Sequence, residues 1–213
     1  MIVRCLRPTK HITSFLVLLL VVSFGERTLF SDASIGRVGM VQKSREGDLA
    51  AIEFLGKSGD VSLISTLLVL IGEARDSKAS PVLIRALRKS LAQLGDPTAR
   101  REICLEISSK DRYEQHHAFA DAAIIGGNDM IIAVAEKLFD TSSGGRPTDK
   151  SGKLIKDVSL PSPRHAAVVA LSSMITDESA PRIDLKKITY SEENVLQWQK
   201  WWLANKTKFD ASP

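Results

Sequence analysis

Apolar side chains recur every three or four residues from about residue 44 onward, as in Leu83, Leu87, Leu91 and Leu94. This period places the apolar positions on one face of an α-helix, whereas a half-buried strand would alternate every second residue. Strand signals are almost absent, so we expect an all-α protein. The pattern predicts helices over residues 45–57, 61–75, 81–94, 97–109, 112–126, 129–140, 163–175 and 191–206.

The starts of several helices carry capping residues. A side-chain acceptor at the N-cap satisfies a free backbone amide, and proline at the first helical position costs nothing because no amide is needed there. A capping box adds a glutamate three residues after the N-cap. These signals lie at Ser80-Pro81, Asp96-Pro97 and Ser162-Pro163, and at Asp111 with Glu114.

The helices are separated by a recurring glycine. Gly59, Gly95 and Gly127 each follow one apolar helix and precede a short polar residue and a second helix. Gly59 and Gly95 are 36 residues apart, and Gly95 and Gly127 are 32 apart. This period is typical of stacked helical hairpins, in which each hairpin buries its apolar face against its neighbours. We expect an α-α superhelix of about four degenerate hairpins.

Residues 82–99, VLIRALRKSLAQLGDPTA, resemble a HEAT repeat of the short, phycobilisome-lyase-like type. The resemblance extends over roughly residues 44–177. The ending, from Ile188 through the Trp-rich helix to Lys206, is similar to the terminal helix of many exported bacterial HEAT-repeat proteins. The resemblance implies an armadillo-type superhelix, and a binding scaffold as the usual role of its members.

The N-terminus has the three-part layout of a secretory signal. Arg4, Arg7 and Lys10 precede an apolar run over residues 15–24. That run is short of the ~18 residues that favour a transmembrane helix. Cleavage fits after Gly25 or after Ala33, and we expect export to the periplasm, the cell envelope or the outside. The alternative is an uncleaved membrane anchor at residues 15–24 with its basic end inside.

Removal of the signal also removes most of the net charge of +4. Cleavage after Gly25 leaves 26 basic and 25 acidic residues, and cleavage after Ala33 leaves 25 and 23. A nearly neutral chain does not predict nucleic-acid binding. Of Cys5 and Cys104, only Cys104 remains, so we expect no intrachain disulfide and a core that supplies the stability.

The repeat pattern divides the chain into segments. We predict a signal over residues 1–25, a linker over 26–43, the HEAT-like array over 44–177 and a C-terminal segment over 178–213. A loop-like insertion over 141–161 interrupts the array. Such insertions emerge on one face and are often functional. The resemblance to lyase-like relatives implies an alternative function as an enzyme or enzyme accessory whose chemistry uses the insertion with His165, beside the simpler interpretation of a solvated loop.

Repeat alignment indicates a candidate binding groove. Arg85 lies ten residues before Gly95, and His117 lies ten before Gly127, so the two should stack in register along successive helices. With Arg88 and Lys89 they predict a positive groove suited to an acidic segment of a partner protein. The alternative is a solvated helix face.

The three tryptophans, Trp198, Trp201 and Trp202, form one stripe on the last helix. We interpret them as a cap over the open end of the array, which a repeat protein requires. The alternative is a platform for a sugar or a membrane.

No hydrolase or phosphate-loop motif is present in the sequence. His116 and His117 diverge by about 100° on one helix and cannot chelate a metal together, and Cys104 has the setting of a small core residue. We therefore expect no cofactor, no metal and no catalysis. The sequence predicts a monomeric, exported scaffold for protein–protein interaction; the alternatives are the enzyme or accessory above and a membrane-anchored envelope protein.

Overall fold

The computed structural model describes residues 36–145, 159–184 and 191–210. Regular structure in these ranges is helical, so the prediction of an all-α fold is confirmed for them. Two short 3₁₀ turns, Val61–Leu63 and Lys137–Phe139, and one antiparallel bridge between Gly145 and Leu160 complete the elements. The helices are α1 (36–45), α2 (Leu49–Lys57), α3 (Ile64–Asp76), α4 (Pro81–Gln93), α5 (Pro97–Ile107), α6 (Arg112–Ile125), α7 (Asn128–Glu136), α8 (Pro163–Met174), α9 (Glu192–Asn205) and α10 (Thr207–Asp210).

The first helices differ from the prediction. We expected a linker up to residue 43 and one helix over 45–57, but residues 36–45 are helical and the chain reverses before α2. Gly47 takes the left-handed conformation, with φ of 88°. Asp48 then caps α2 by accepting the amides of Ala50 and Ala51. Gly47-Asp48 is therefore a hinge of the same kind as Gly95-Asp96, in which a left-handed glycine is followed by an aspartate that caps the next helix.

The predicted caps form at most helix starts. Asp96 accepts the amide of Ala99 at 2.8 Å, and Asp111 accepts the amides of Tyr113 and Glu114. Ser162 is different, because its side chain makes no cap hydrogen bond. Its hydroxyl lies 2.8 Å from Nδ1 of His165 instead. A proline at the first helical position does not by itself determine where the preceding serine points.

The helices pack in two rows. Helices α2, α4, α6 and α8, the even row, each pack against the next member, and α3, α5 and α7 form the odd row. Helix α5 lies against both α4 and α6, and α7 lies against both α6 and α8. The apolar side chains that face between the rows form one continuous buried core, with Leu67, Leu87, Ile103 and Val134 among its least exposed members.

Two small residues let α2 and α4 approach closely. A Cβ atom on Gly56 would lie 2.8 Å from the Cα of Ser90, a separation that real structures do not show. Ser90 is fully buried, and its hydroxyl donates to the carbonyl of Ile52 at 2.9 Å. Backbone contact thus fixes the distance between the first two helices of the even row.

The tryptophan stripe lies inside the core. Trp198 is fully buried, and Trp201 and Trp202 are 8% and 7% exposed. The indole nitrogen of Trp201 donates to the Ser179 hydroxyl at 3.0 Å, and the Trp202 ring packs on Phe209 of α10 with centroids 5.4 Å apart. A sugar or membrane platform requires exposed ring faces, which these tryptophans do not offer.

Truncation of Trp198 should destabilise the fold severely. We expect Trp198→Ala to lower the free energy of unfolding by about 3–5 kcal/mol, because it removes a fully buried indole and leaves a cavity. Leu196→Ala, on the exposed side of the same helix, should change it by less than about 0.5 kcal/mol. Urea titration followed by circular dichroism measures both, and equal losses would show that α9 does not seal the core.

Candidate functional site

A cavity of about 430 Å³ lies on the even row, lined by side chains of α2, α4 and α6. We call it the groove cavity. Its polar lining includes Glu53 from α2, Arg85 and Lys89 from α4, and His117 and Asp121 from α6. The structure thus brings together three of the four predicted groove residues, Arg85, Lys89 and His117.

Arg85 links α4 to α6. Its Nε donates to Oδ2 of Asp121 at 2.8 Å, and its Nη2 donates to the backbone carbonyl of His117 at 2.7 Å. The Asp121 side chain is 7% exposed and that of Arg85 is 26% exposed. A carboxylate this well buried compensates the guanidinium charge. Arg85 therefore forms a wall of the groove cavity and has little charge to offer an acidic partner.

Arg88 lies outside the groove cavity, in contrast to the predicted positive cluster. Its guanidinium pairs with both carboxylate oxygens of Glu106 on α5, at 2.6 and 2.7 Å. Helical geometry gives the reason, at about 100° per residue. Val82, Arg85 and Lys89 share one arc of α4, while Arg88 lies about 60° beyond Arg85, away from that arc and toward α5.

Lys89 is the cation of the groove cavity that has no ion pair among the described residues. It is partly exposed, and within the described ranges its ammonium makes no ion pair or hydrogen bond. The nearby carboxylate of Glu53 pairs with Lys57 at 2.6 Å. The Lys57 hydrogen bond and charge, together with the charge of Lys89, hold the pKa of Glu53 below its usual value. Lys89 is thus the unpaired positive charge of the groove cavity.

His117 contributes an aromatic ring to the lining of the groove cavity. Its ring meets Tyr113 edge-on, with centroids 4.3 Å apart. Partial burial lowers the pKa of His117 below 6.5, and the charges of Arg85 and His116 lower it further against the opposite effect of Asp121. His116 points elsewhere, to a small depression beside Leu160. The two adjacent histidines therefore diverge, as predicted.

Three exposed apolar residues line the same cavity. Leu49, Val82 and Tyr113 are 43%, 59% and 45% exposed, and each lies in the first turn of its helix in the even row. We call them the apolar row. Sequence reasoning missed them because it used glycine spacing alone. The signal was present, since each follows an N-cap residue, at Asp48, Ser80 or Asp111, by one or two positions.

The described beginning of the insertion contacts α6. Gly145 and Leu160 exchange backbone hydrogen bonds of 3.1 and 2.8 Å at its base. Arg112 donates to the Ser142 hydroxyl at 2.6 Å and to the Ser143 carbonyl at 3.1 Å. Residues 146–158, the centre of the insertion, lie outside the described residues.

His165 lies in the first turn of α8. The enzyme alternative combined this residue with the insertion. Nδ1 of its ring contacts Ser162, and Nε2 lies 3.6 Å from Oε1 of Glu192 on α9. The histidine thus bridges the starts of two helices, and it is not among the residues that line the groove cavity.

Cys104 is half-buried against the core, with its Sγ 3.8 Å from the sulfur of Met130. Burial raises the pKa of the thiol, and the charge of Asp129 raises it further, although Arg100 opposes the change. A high pKa disfavours the reactive thiolate. In the part of the chain that the structure describes, no three His, Cys, Asp or Glu residues are placed to share a metal ion.

Among the described residues no helix has the length and apolar character to cross a membrane. The predicted signal or anchor, with its apolar run over 15–24, lies outside these residues.

Asp121→Asn tests the pair that joins α4 to α6. The neutral amide leaves the partly buried Arg85 charge uncompensated, so we expect a loss of about 1–3 kcal/mol in the free energy of unfolding. The control is Glu73→Gln, which breaks a half-exposed pair with Arg45 and should cost less than about 0.5 kcal/mol. Urea titration at pH 7 measures both. A loss no larger than that of Glu73→Gln would show that the Arg85–Asp121 pair does not stabilise the contact between α4 and α6.

Acid should weaken the fold through His116 and His117. Burial lowers the pKa of both histidines in the folded protein below 6.5, their ordinary value in the unfolded chain. Between these two pKa values the unfolded chain binds more protons than the folded protein, so stability falls as the pH falls. Their contribution to stability is complete above pH 6.5 and is lost as the pH falls. In the double variant His116→Gln and His117→Gln, we expect a shallower decline in the free energy of unfolding from pH 7 to 5.5. Urea titrations at each pH measure this decline, and an equal decline in the double variant and the wild type would contradict the prediction.

Comparison of the chain with protein-family models, with curated proteins and with solved structures gives no match in any of the three. Function is therefore inferred from the packing of the helices and from the groove cavity.

Proposed function

We propose that this protein is an exported α-α superhelix of about four HEAT-like hairpins that serves as a protein-interaction scaffold at the cell envelope. A partner protein binds on the even row, in the groove cavity, and the protein acts by binding rather than by catalysis. The proposal of export is based on the sequence of residues 1–25.

The packing order of the helices supports the superhelical part of the proposal. Consecutive helices α3 and α4, α5 and α6, and α7 and α8 contact each other, and each even-row helix also contacts the next. Such nearest-neighbour packing is the organisation of stacked hairpins. Left-handed glycines at the hinges, Gly59, Gly95 and Gly127, recur at the spacing of the hairpins.

The observation that carries the binding function is the groove cavity itself. Its volume of about 430 Å³ is that of a well-formed binding cavity, and among the described residues it combines exposed apolar side chains with one cation that lacks an ion pair. Exposed apolar patches with a polar rim are typical of protein-interaction sites and binding grooves. Three helices from different hairpins hold the lining in place.

Rigidity is the physical basis of such a scaffold. The Arg85–Asp121 pair joins α4 to α6, and Ser90 joins α4 to α2 through the carbonyl of Ile52. The lining is therefore ordered before a partner arrives, so binding costs little conformational entropy on this side of the interface. Compared with the sequence expectation, Arg85 is a positioning residue, while Lys89 and the apolar row are the contact surface.

Capture from an envelope extract of the source cells tests this function. We expect the immobilised wild-type protein to enrich a defined envelope protein, identified by mass spectrometry, and Val82→Asp to reduce that enrichment at least about tenfold, because it places a charge in an apolar contact. Val82 is 59% exposed at the start of α4, where an acid is compatible with the helix dipole, so the variant should fold.

Leu196→Asp provides the matched control. Leu196 is 63% exposed in α9, away from the groove cavity, and the same charge enters there. The control should retain full enrichment and the wild-type circular dichroism spectrum. Equal enrichment by Val82→Asp, or no protein enriched by the wild type, would contradict binding in the groove cavity.

A further inference from the structure

We infer that the occupant of the groove cavity is a polypeptide segment in which apolar side chains are accompanied by a single carboxylate, which pairs with the Lys89 ammonium. This inference rests on the proposed function and specifies its partner. It replaces the acidic segment expected from sequence, because the apolar row adds exposed apolar surface and, among the described residues, Lys89 is the one lining charge without an ion pair.

The charges around the groove cavity balance except at Lys89. Asp121 neutralises Arg85, and Lys57 pairs with Glu53. Burial and the Arg85 charge lower the pKa of His117 below 6.5, which disfavours a charged ring at pH 7. When Lys57 is counted with the lining, one positive charge among the described residues remains without an ion pair, on the partly exposed side chain of Lys89 beside the apolar row. A single carboxylate complements this charge, whereas a tract of several acids would place its further charges near Glu53 and Asp121 without partners.

The length of the apolar row favours a polypeptide. Leu49, Val82 and Tyr113 belong to three successive helices of the even row. Packed helices lie about 8–10 Å apart, so the row spans about 16–20 Å. An extended chain covers that length with about six residues. A peptide of that length contacts all three side chains at once.

Lys89 is placed to select the charge of that peptide. Along α4, Val82 and Lys89 are seven residues apart on one face, which corresponds to about 10.5 Å. The Lys89 ammonium therefore lies beside a peptide that crosses the helices along the apolar row, about two helical turns further along α4. A long acidic side chain, or one at the end of the segment, reaches that position, and it fixes the orientation of the peptide on the row.

Panning a displayed library of random peptides of about twelve residues on the full chain provides a direct test. We expect enriched peptides to contain clustered apolar residues with one Asp or Glu. As synthetic peptides, they should bind Lys89→Glu at least about tenfold more weakly than the wild type, because attraction becomes repulsion. Changing the acid of a peptide to Gln or Asn should remove that difference. Lys200→Glu, an exposed lysine of α9, is the matched control and should bind as the wild type.

The outcomes separate this inference from the function on which it rests. Peptides that bind Val82→Asp more weakly than the wild type but contain no acid would overturn the inference and leave the scaffold function intact. The same holds for such peptides if they contain an acid but bind Lys89→Glu as tightly as the wild type. A failure to enrich any peptide sensitive to Val82→Asp would overturn both. Octanoate, titrated calorimetrically, probes the small-molecule alternative: octanoate binding that depends on Lys89, without peptide binding, would assign the cavity to a small amphipathic carboxylate and overturn the inference.

Discussion

The ion pair between Arg85 and Asp121 is the interaction on which the candidate site depends. It joins the second and third helices of the even row at a point where the carboxylate is nearly inaccessible to water. A charge in that position requires a partner, because an unpaired buried charge is far more costly than an exposed one. The pair therefore fixes the relative position of α4 and α6, and it withdraws the most prominent arginine of the groove from ligand binding.

The charge that the groove cavity presents to a ligand therefore differs from what the residue types of its lining suggest. Arg85, Lys89, Glu53 and Asp121 all border the cavity, which gives equal numbers of positive and negative side chains. Ion pairs compensate the charges of Arg85, Asp121 and Glu53, and among the described residues Lys89 remains without an ion pair. The apolar row then becomes the larger part of the surface that a partner meets. A weak electrostatic preference on a mostly apolar groove follows from this arrangement.

The rest of the architecture maintains the geometry of the row of helices that carries the groove. Gly56 and Ser90 hold α2 against α4 through backbone contact. Arg100 reaches across the hinge between α6 and α7, where it pairs with Asp129 and donates to the carbonyl of Gly126 at 2.6 Å. At the other end, the buried indoles of α9 close the core. Each connection is local, so the position of the groove follows from a series of neighbouring contacts.

Much of this was predictable from sequence because the signals are local. Helix bounds follow from apolar periodicity and from caps such as Asp96 and Asp111, and the hinges follow from the left-handed preference of glycine, which does not depend on distant residues. Gly47-Asp48 carried the same signal, although the prediction ran one helix through it. The register that placed Arg85 and His117 beside one cavity also followed from repeat spacing.

Tertiary structure decided which of these side chains are available. Whether Arg85 is a ligand or a wall depends on Asp121, which lies 36 residues away on another helix, and Arg88 pairs with Glu106 on a third. The same holds for Lys89, whose free charge results from the pairing of its neighbours. The sequence by itself determined the helices, their hinges and the row on which they meet, since these depend on propensity and period. The pairing of charges was decided by packing, because it depends on distances and burial between residues far apart in the chain.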